Sequence, residues 1–198
     1  MENITTILFE EKQRLENCVA YAREKSSQAA APATVYRTQK NPFTGEDVEV
    51  PYIYLDKFTP EQRQQYDIYT RLLDEHRARL CVFDNFVKGM VPQETFQSFN
   101  QDVTPLEKYK NVSISSNCID LDEKGEFTKH SIKVGPMLVQ SPESMSIDEF
   151  RQLYTSSLSN LLIKSLGNGL TQEEAMQQLQ SACAEVYRNP GIENVKSL

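Results

Sequence analysis

The chain has 198 residues, a formal net charge of -7 and 39% hydrophobic residues, which is the composition of a globular protein and not of a disordered segment. The acidic balance argues against nucleic-acid binding, because neutralising phosphates requires clustered Lys and Arg. This length predicts a single domain over residues 1–198 that folds without disulfides.

No apolar run approaches the roughly 20 residues that cross a bilayer. The N-terminus lacks the basic segment of a secretory signal peptide, and the four cysteines are dispersed without a C-x-x-C pair. These features predict a cytoplasmic protein with reduced thiols and no membrane span. They leave open its delivery into another cell by a specialised secretion system.

The first predicted element is an amphipathic helix from about Thr5 to Lys25, because Leu8 and Leu15 fall on one face. The small, unpatterned residues over 26–34 predict a flexible linker after this helix or a fraying tail of the helix itself.

A hairpin is predicted next. Two β-prone runs, 35–38 and 48–55, flank a turn-rich loop over 41–47. Pro51 restricts the second strand to a sheet edge, because proline cannot donate to a strand ladder.

The longest predicted helix begins at Pro60, just after a capping-box pattern at Thr59, and ends near Lys88. Two positions recur every seven residues along it, and they are occupied by Tyr66, Leu73, Leu80 and Val87 and by Tyr69, His76, Phe83 and Met90. An internal helix is the favoured partner of this heptad seam, since zippers prefer Leu and Ile to Tyr, His and Phe. A homodimer through the 60–88 helix is the alternative.

The second half of the chain is predicted to contain strands followed by two helices. Alternating residues over 112–118 and 130–134 predict an antiparallel hairpin. Capping-box patterns at Ser146 and Thr171 begin two helices, and Gly167 ends the first. The predicted fold class is therefore α+β. It has a helical majority, with long N-terminal and central helices plus a C-terminal antiparallel helix pair, and one or two small antiparallel β-hairpins.

The sequence contains no recognisable catalytic motif. Its only two histidines, His76 and His130, lack the spacing of zinc ligands, so neither a metal nor a cofactor is predicted. Candidate catalytic residues are Cys118, His130 and Asp120, which require the predicted hairpin to bring Cys118 close to His130. A structural interpretation is favoured, because a cysteine is more often a small hydrophobic residue than a nucleophile.

We therefore expect a non-catalytic protein that acts by binding another protein. An adaptor, a chaperone-like subunit, an inhibitor or a pathogen or phage effector would fit the acidic charge, the seam-bearing helix and the Tyr-rich segments. The predicted partner-binding residues are Asn41, Pro42, Phe43, Tyr52 and Tyr54. Asn-Pro-Phe turns resemble the ligands of EH domains, which bind the turned Phe in a pocket. The alternative is an enzyme with a dispersed site around Cys118, His130 and nearby carboxylates.

Overall fold

The computed structural model describes residues 4–92, 106–115, 117–121, 127–134, 137–139, 144–167 and 169–189. In these residues there are four α-helices, α1 (Ile4–Ala30), α2 (Pro60–Met90), α3 (Ile147–Ser165) and α4 (Gln172–Arg188). The seven strands are β1 (Thr34–Lys40), β2 (Asp47–Ile53), β3 (Ser113–Ser115), β4 (Asn117–Leu121), β5 (Phe127–Val134), β6 (Met137–Val139) and β7 (Ser144–Ser146). Short 3-10 helices lie at Ala31–Ala33, Leu55–Lys57 and Leu106–Tyr109. The predicted α+β fold with a helical majority is confirmed.

The described strands form three small antiparallel sheets, with the orders β1-β2, β3-β7 and β4-β5-β6. The hairpin predicted for 35–38 and 48–55 is confirmed as β1 and β2. The hairpin predicted for 112–118 and 130–134 is confirmed in part, because β4 pairs with β5 from Asn117 and Ser131 onward, but the segment 112–118 contributes to two sheets. β3 pairs with β7, about 30 residues later, and no local pattern of alternating residues announces so distant a partner.

The predicted linker over 26–34 contains the end of α1, the first short 3-10 helix and the first residue of β1. Alanine is the best helix former, so α1 continues past Lys25 as far as Ala30. Pro32 then removes a backbone donor, and the Thr34 hydroxyl donates to the Ala30 carbonyl at 2.8 Å. The first helix therefore ends later than predicted.

Three predicted helix starts are confirmed in atomic detail. In each, the cap hydroxyl accepts from the backbone N–H three residues later, and the side chain of that later residue accepts from the cap N–H. The three pairs are Thr59 with Gln62, Ser146 with Glu149, and Thr171 with Glu174. Among the described residues, no helix combines the length and the hydrophobicity that a membrane span requires.

The chain divides into two compact units. The first unit is formed by Met1–Cys18 and Asp74–Leu198, and the second unit is formed by Val19–Leu73. Both α1 and α2 contribute residues to both units. The single domain expected from the length stays a prediction.

The core of the first unit is built from apolar faces of all four helices. Its buried members include Leu8 and Leu15 of α1, Val82, Phe83 and Phe86 of α2, Phe150, Tyr154, Leu158 and Leu162 of α3, and Leu179, Cys183 and Val186 of α4. The heptad positions Phe83 and Val87 belong to this core, so this part of the α2 seam packs within the chain. The buried face of α2 also includes Ala78 and Cys81, which makes it wider than a two-position seam. The homodimer through the 60–88 helix stays a prediction.

In the first unit, α1 is antiparallel to α3. Its first residue, Ile4, lines a groove with Leu166 at the end of α3, whereas Glu11, further along α1, accepts a hydrogen bond from Tyr154 in the first half of α3. The start of α1 therefore lies beside the end of α3.

The same helix is parallel to α4. Ile4 shares the groove with Gln178 and Ala182, and Lys12 Nζ donates to the carbonyl of Asn189 at 3.3 Å, just beyond the end of α4. It follows that α3 and α4 are antiparallel, as the short connection between them predicted.

Candidate functional site

The β1-β2 hairpin in the second unit contains four of the five predicted partner-binding residues, and the fifth, Tyr54, directly follows β2. Its loop, residues 41–46, is fixed by its own hydrogen bonds. Asn41 Oδ1 accepts from the backbone N–H of Phe43 at 2.9 Å and of Thr44 at 3.3 Å. The Gly45 N–H donates to the Asn41 carbonyl at 2.8 Å, and a φ of +72° at Gly45 closes the loop in the left-handed region.

Phe43 projects from this ordered loop into solvent. Its exposed fraction is 95%, and Pro42 beside it is also exposed. Burying a phenylalanine side chain contributes about 1.5–3 kcal/mol, and the fold leaves this contribution unused at Phe43. The loop therefore presents an apolar anchor on a backbone that is already ordered.

Along each strand of the hairpin, alternate residues direct their backbone N–H and C=O groups toward the other strand, and the residues between them direct theirs outward. At one end the Tyr54 N–H donates to the Ala33 carbonyl, and at the other the Asn41 N–H donates to the Glu46 carbonyl, each at 2.8 Å. The register between these ends is continuous, so odd-numbered residues of β1 face β2 with their N–H and C=O groups. Even-numbered residues of β1 direct theirs outward. Pro51 lies opposite Tyr36, at one of the outward positions, so its missing N–H breaks no bond between the two strands.

Both faces of the β1-β2 ribbon are accessible to solvent. The exposed fractions are 64% for Tyr36, 39% for Val48 and Tyr52, and 41% for Ile53. A two-stranded hairpin with a packed face would cover one alternate set of these side chains. This ribbon instead leaves apolar side chains of both sets available for contact.

A cationic and aromatic cluster lies at the base of the hairpin. The Arg37 guanidinium is 5.2 Å from the ring centroid of Tyr52 and 5.3 Å from that of Tyr54. A second cation, Lys57 Nζ, lies 4.9 Å from the ring centroid of Tyr54. These distances are typical of cation–π pairs. Sequence reasoning missed Arg37, because the register that places it diagonally to Tyr52 is not fixed by periodicity alone.

The predicted partner-binding residues therefore form two patches and not one. Phe43 is at the loop, whereas Tyr52 is five residues along β2 from Asp47, a distance of about 17 Å in an extended strand. The structure brings Tyr52 and Tyr54 together under Arg37 but leaves both of them separate from Phe43.

The two strands of the hairpin carry opposite charges. β1 contains Arg37 and Lys40 and no acidic residue, whereas β2 contains Asp47 and Glu49 and no basic residue. Lys40 is the register partner of Asp47, so one cross-strand pair joins the two signs directly.

The candidate catalytic residues lie on β4 and β5 in the first unit. Their register makes Cys118 the direct Cα partner of His130, which is the arrangement that the sequence argument required. Asp120 is instead the partner of Thr128, two positions along the ladder from His130. The backbone therefore pairs two of the three candidates.

Two other thiols are poor nucleophiles. Burial, with a smaller contribution from Asp84, raises the pKa of Cys81 to about 11. Burial alone raises the pKa of Cys183 to about 12. Both thiols are protonated at neutral pH, whereas a nucleophilic cysteine needs a thiolate.

His76 is a buried residue of α2 with a partner on the same helix. Its Nδ1 lies 3.0 Å from Nη1 of Arg79, and Nη2 of the same guanidinium lies 3.7 Å from the Glu75 carboxylate. Because a guanidinium only donates, His76 Nδ1 accepts and its proton lies on Nε2. Within the described ranges no three His, Cys, Asp or Glu side chains gather into a metal-binding group.

A groove of about 570 Å³ lies in the first unit between α1, α3 and α4. Ile4, Leu166 and Leu170 form its apolar part, and Glu174 and Gln178 form part of its polar wall.

Comparison of the chain with models of protein families, with curated proteins and with solved structures gives no match. Function is therefore inferred from the geometry and chemistry of the residues alone.

Proposed function

We propose that this protein acts by binding another protein through the β1-β2 hairpin, with Phe43 as the anchor. The observation that carries this proposal is the 95% exposure of Phe43 on a loop that Asn41 holds in place. The partner would offer an apolar pocket for the phenyl ring. An EH domain is one partner of this chemistry, and an adaptor, chaperone-like subunit, inhibitor or effector would each use such a contact.

The preformed loop lowers the cost of association. Ordering a flexible loop opposes binding, and here the hydrogen bonds of Asn41 and the turn at Gly45 have already ordered the backbone. An aromatic side chain buried at the centre of an interface often dominates its binding energy. Phe43 therefore combines a large apolar gain with a small ordering cost.

The cluster at the base of the hairpin supports the same function. Tyr and Arg are enriched at protein interfaces, because each combines an apolar body with polar groups. Arg37 holds the rings of Tyr52 and Tyr54 in a defined arrangement at the surface of the second unit. We propose this cluster as the second contact region of the same partner.

Affinity purification from the native host, with light scattering on the recovered complex, tests the proposal. We expect Phe43→Ala to lose at least tenfold in affinity, the effect of about 1.4 kcal/mol at an interface anchor. Ile163→Ala is the matched control, because Ile163 on α3 is also an exposed apolar residue, at 56%. A partner that binds wild type and Phe43→Ala equally would contradict the proposal, as would equal losses in the two variants.

An enzyme remains the second candidate, and the pairing of Cys118 with His130 in register favours it. The two functions respond differently to mutation. Alanine at Cys118 and His130 should leave biological activity intact if the protein acts by binding, while polar substitutions of Tyr52 and Tyr54 should abolish it. The opposite pattern would favour the enzyme and exclude the binding function.

A further inference from the structure

We propose that the outer edge of β1 binds an extended, acidic segment of a partner protein as a third strand. The inference rests on the proposed function, since it needs a protein partner. It concerns different atoms, namely the backbone groups of β1 and not the side chain of Phe43. The two contacts can therefore be tested separately.

The outer edge of β1 has backbone groups ready to pair. The alternation of hydrogen bonds directs the N–H and C=O groups of Tyr36, Thr38 and Lys40 away from β2. These three residues are exposed, and in the described part of the chain β1 pairs with β2 alone. An edge of this kind is a template for strand addition.

The outer edge of β2 is protected by comparison. Pro51 occupies an outward position and removes a donor there. Asp47 and Glu49 occupy the two preceding outward positions and are exposed acids, so they repel an acidic strand, whereas Lys40 at an outward position of β1 attracts one. The edge of β2 therefore disfavours an acidic strand, and the edge of β1, which contains no proline, can accept one.

Charge identifies the segment that fits β1. The side chains of an added strand would lie about 4.5–5.5 Å from those of their β1 partners. β1 carries Arg37 and Lys40 without an acid, so an acidic strand is attracted to it and a basic strand is repelled. β2, which has acids alternating with valines over Asp47–Val50, is a covalently attached example of a strand that pairs with β1. The partner segment should therefore alternate acidic and β-branched residues.

A second copy of this chain is a poorer match. Antiparallel pairing of two fully overlapping β1 strands would place Arg37 opposite Arg37 of the other copy, and like charges directly opposite each other are destabilising. Pairing through β2 of a second copy would use the edge that Pro51 interrupts. We therefore choose a different protein as the partner.

Fluorescence anisotropy with two synthetic peptides tests this inference. One labelled peptide alternates valine and glutamate, and its control alternates valine and lysine. We expect the glutamate peptide to bind the wild-type protein at least about tenfold more tightly, with an affinity that falls as salt increases. Lys40→Gln should weaken the glutamate peptide and reduce its salt dependence, without altering the backbone of the edge.

Two proline variants then test which edge is used. Thr38 and Glu49 are register partners at outward positions, so Thr38→Pro and Glu49→Pro each remove one outward N–H from opposite edges. Thr38→Pro should weaken the glutamate peptide about tenfold, the usual effect of one lost hydrogen bond together with a disturbed strand. Glu49→Pro should retain binding within about twofold of wild type, or improve it by removing an acid.

Several results would overturn the inference. These are no binding of the glutamate peptide, equal binding of the two peptides, or equal effects of the two proline variants. Light scattering that shows a wild-type dimer broken by Thr38→Pro would also overturn it, because a second copy would then occupy the edge. A partner lost by Phe43→Ala but kept by Thr38→Pro would leave the proposed function intact and reject strand addition alone.

Discussion

The hydroxyl of Tyr154 donates a 2.9 Å hydrogen bond to the Glu11 carboxylate and so joins α3 to α1 inside the first unit. Arg14 binds the same carboxylate with two hydrogen bonds, at 2.9 and 3.0 Å. Tyr154 is 1% exposed, and burial together with the charge of Glu11 raises its pKa well above the usual value. The tyrosine is therefore protonated at neutral pH and donates to the same carboxylate that Arg14 binds.

Removing this hydroxyl should destabilise the fold. We expect Tyr154→Phe to lower the free energy of unfolding by about 1.5–3 kcal/mol, the range for a hydrogen bond to a charged group. The ring would keep its place among the buried residues of α3, so little packing would be lost. Urea denaturation followed by circular dichroism measures the difference.

Tyr36→Phe is the control for Tyr154→Phe, because Tyr36 is 64% exposed on β1. We expect that variant to unfold within about 0.5 kcal/mol of wild type. Equal stability of Tyr154→Phe and wild type would show that Glu11 finds another donor once the hydroxyl is gone.

Asp84 on α2 should make stability depend on pH. Burial raises its pKa from 3.8 to about 6, Lys12 opposes the shift, and Glu16 adds to it. A carboxyl whose pKa is raised in the folded state stabilises fully below its unfolded pKa, and this contribution is lost as the pH rises through the folded pKa. Asp84 should therefore weaken the fold progressively between pH 3.8 and about 6.

Asp84→Asn should remove this loss. The free energy of unfolding of this variant, relative to that of wild type, should rise by up to about 3 kcal/mol between acidic and neutral pH, since one pKa unit corresponds to about 1.4 kcal/mol. Urea denaturation at a series of pH values measures the gain. Glu16→Gln is the companion variant, because losing its charge should shift the wild-type pH dependence to lower pH. If the two proteins instead differ in free energy of unfolding by the same amount at every pH, Asp84 is not the source of the pH dependence.

The cap of α3 provides a local test of helix formation. The Ser146 hydroxyl accepts from the Glu149 N–H at 3.3 Å, and the Glu149 carboxylate accepts from the Ser146 N–H at 2.9 Å. Ser146→Ala should lower the free energy of unfolding by about 1 kcal/mol. Ser156→Ala, at an exposed position inside α3, should be neutral or slightly stabilising, because alanine favours helix interiors. Comparing the thermal unfolding of the two variants distinguishes the effect of losing the helix cap from the effect of losing any serine hydroxyl.

Local patterns in the sequence predicted the helices well. The capping boxes at Thr59, Ser146 and Thr171 depend on residues three positions apart, so their geometry is encoded within one helical turn. The β1-β2 hairpin was predicted for a similar reason, because its strands are joined by a short loop rich in turn-forming residues. Such elements need no knowledge of distant partners.

Long-range relationships were not predictable from the sequence. One example is the hydrogen bond between Tyr154 and Glu11, and another is the pairing of β3 with β7. In both cases the neighbouring sequence does not indicate which distant residue is the partner. The placement of Arg37 between Tyr52 and Tyr54 depends on the strand register, which periodicity alone does not fix. The candidate residues of the hairpin were therefore found from their types, and their separation into two patches required the structure.

Two glycines should respond to alanine with opposite signs. Gly45 has a φ of +72° in the hairpin loop, where an L-residue is strained, so Gly45→Ala should destabilise the loop by about 1–2 kcal/mol. Gly89 lies inside α2, which ends one residue later at Met90. A Cβ at Gly89 would meet no atom within 4 Å, so Gly89→Ala should stabilise α2 by up to about 1 kcal/mol.

Hydrogen exchange at the backbone amides of residues 41 and 45 measures the effect of Gly45→Ala on the loop, because both amides donate hydrogen bonds within it. Urea denaturation reads the second effect on the free energy of unfolding. A loop that keeps its protection in Gly45→Ala would mean that the hydrogen bonds from Asn41 Oδ1 to Phe43 and Thr44 suffice to hold it. If protection is lost and partner affinity falls with it, the ordered backbone under Phe43 is itself part of the binding site.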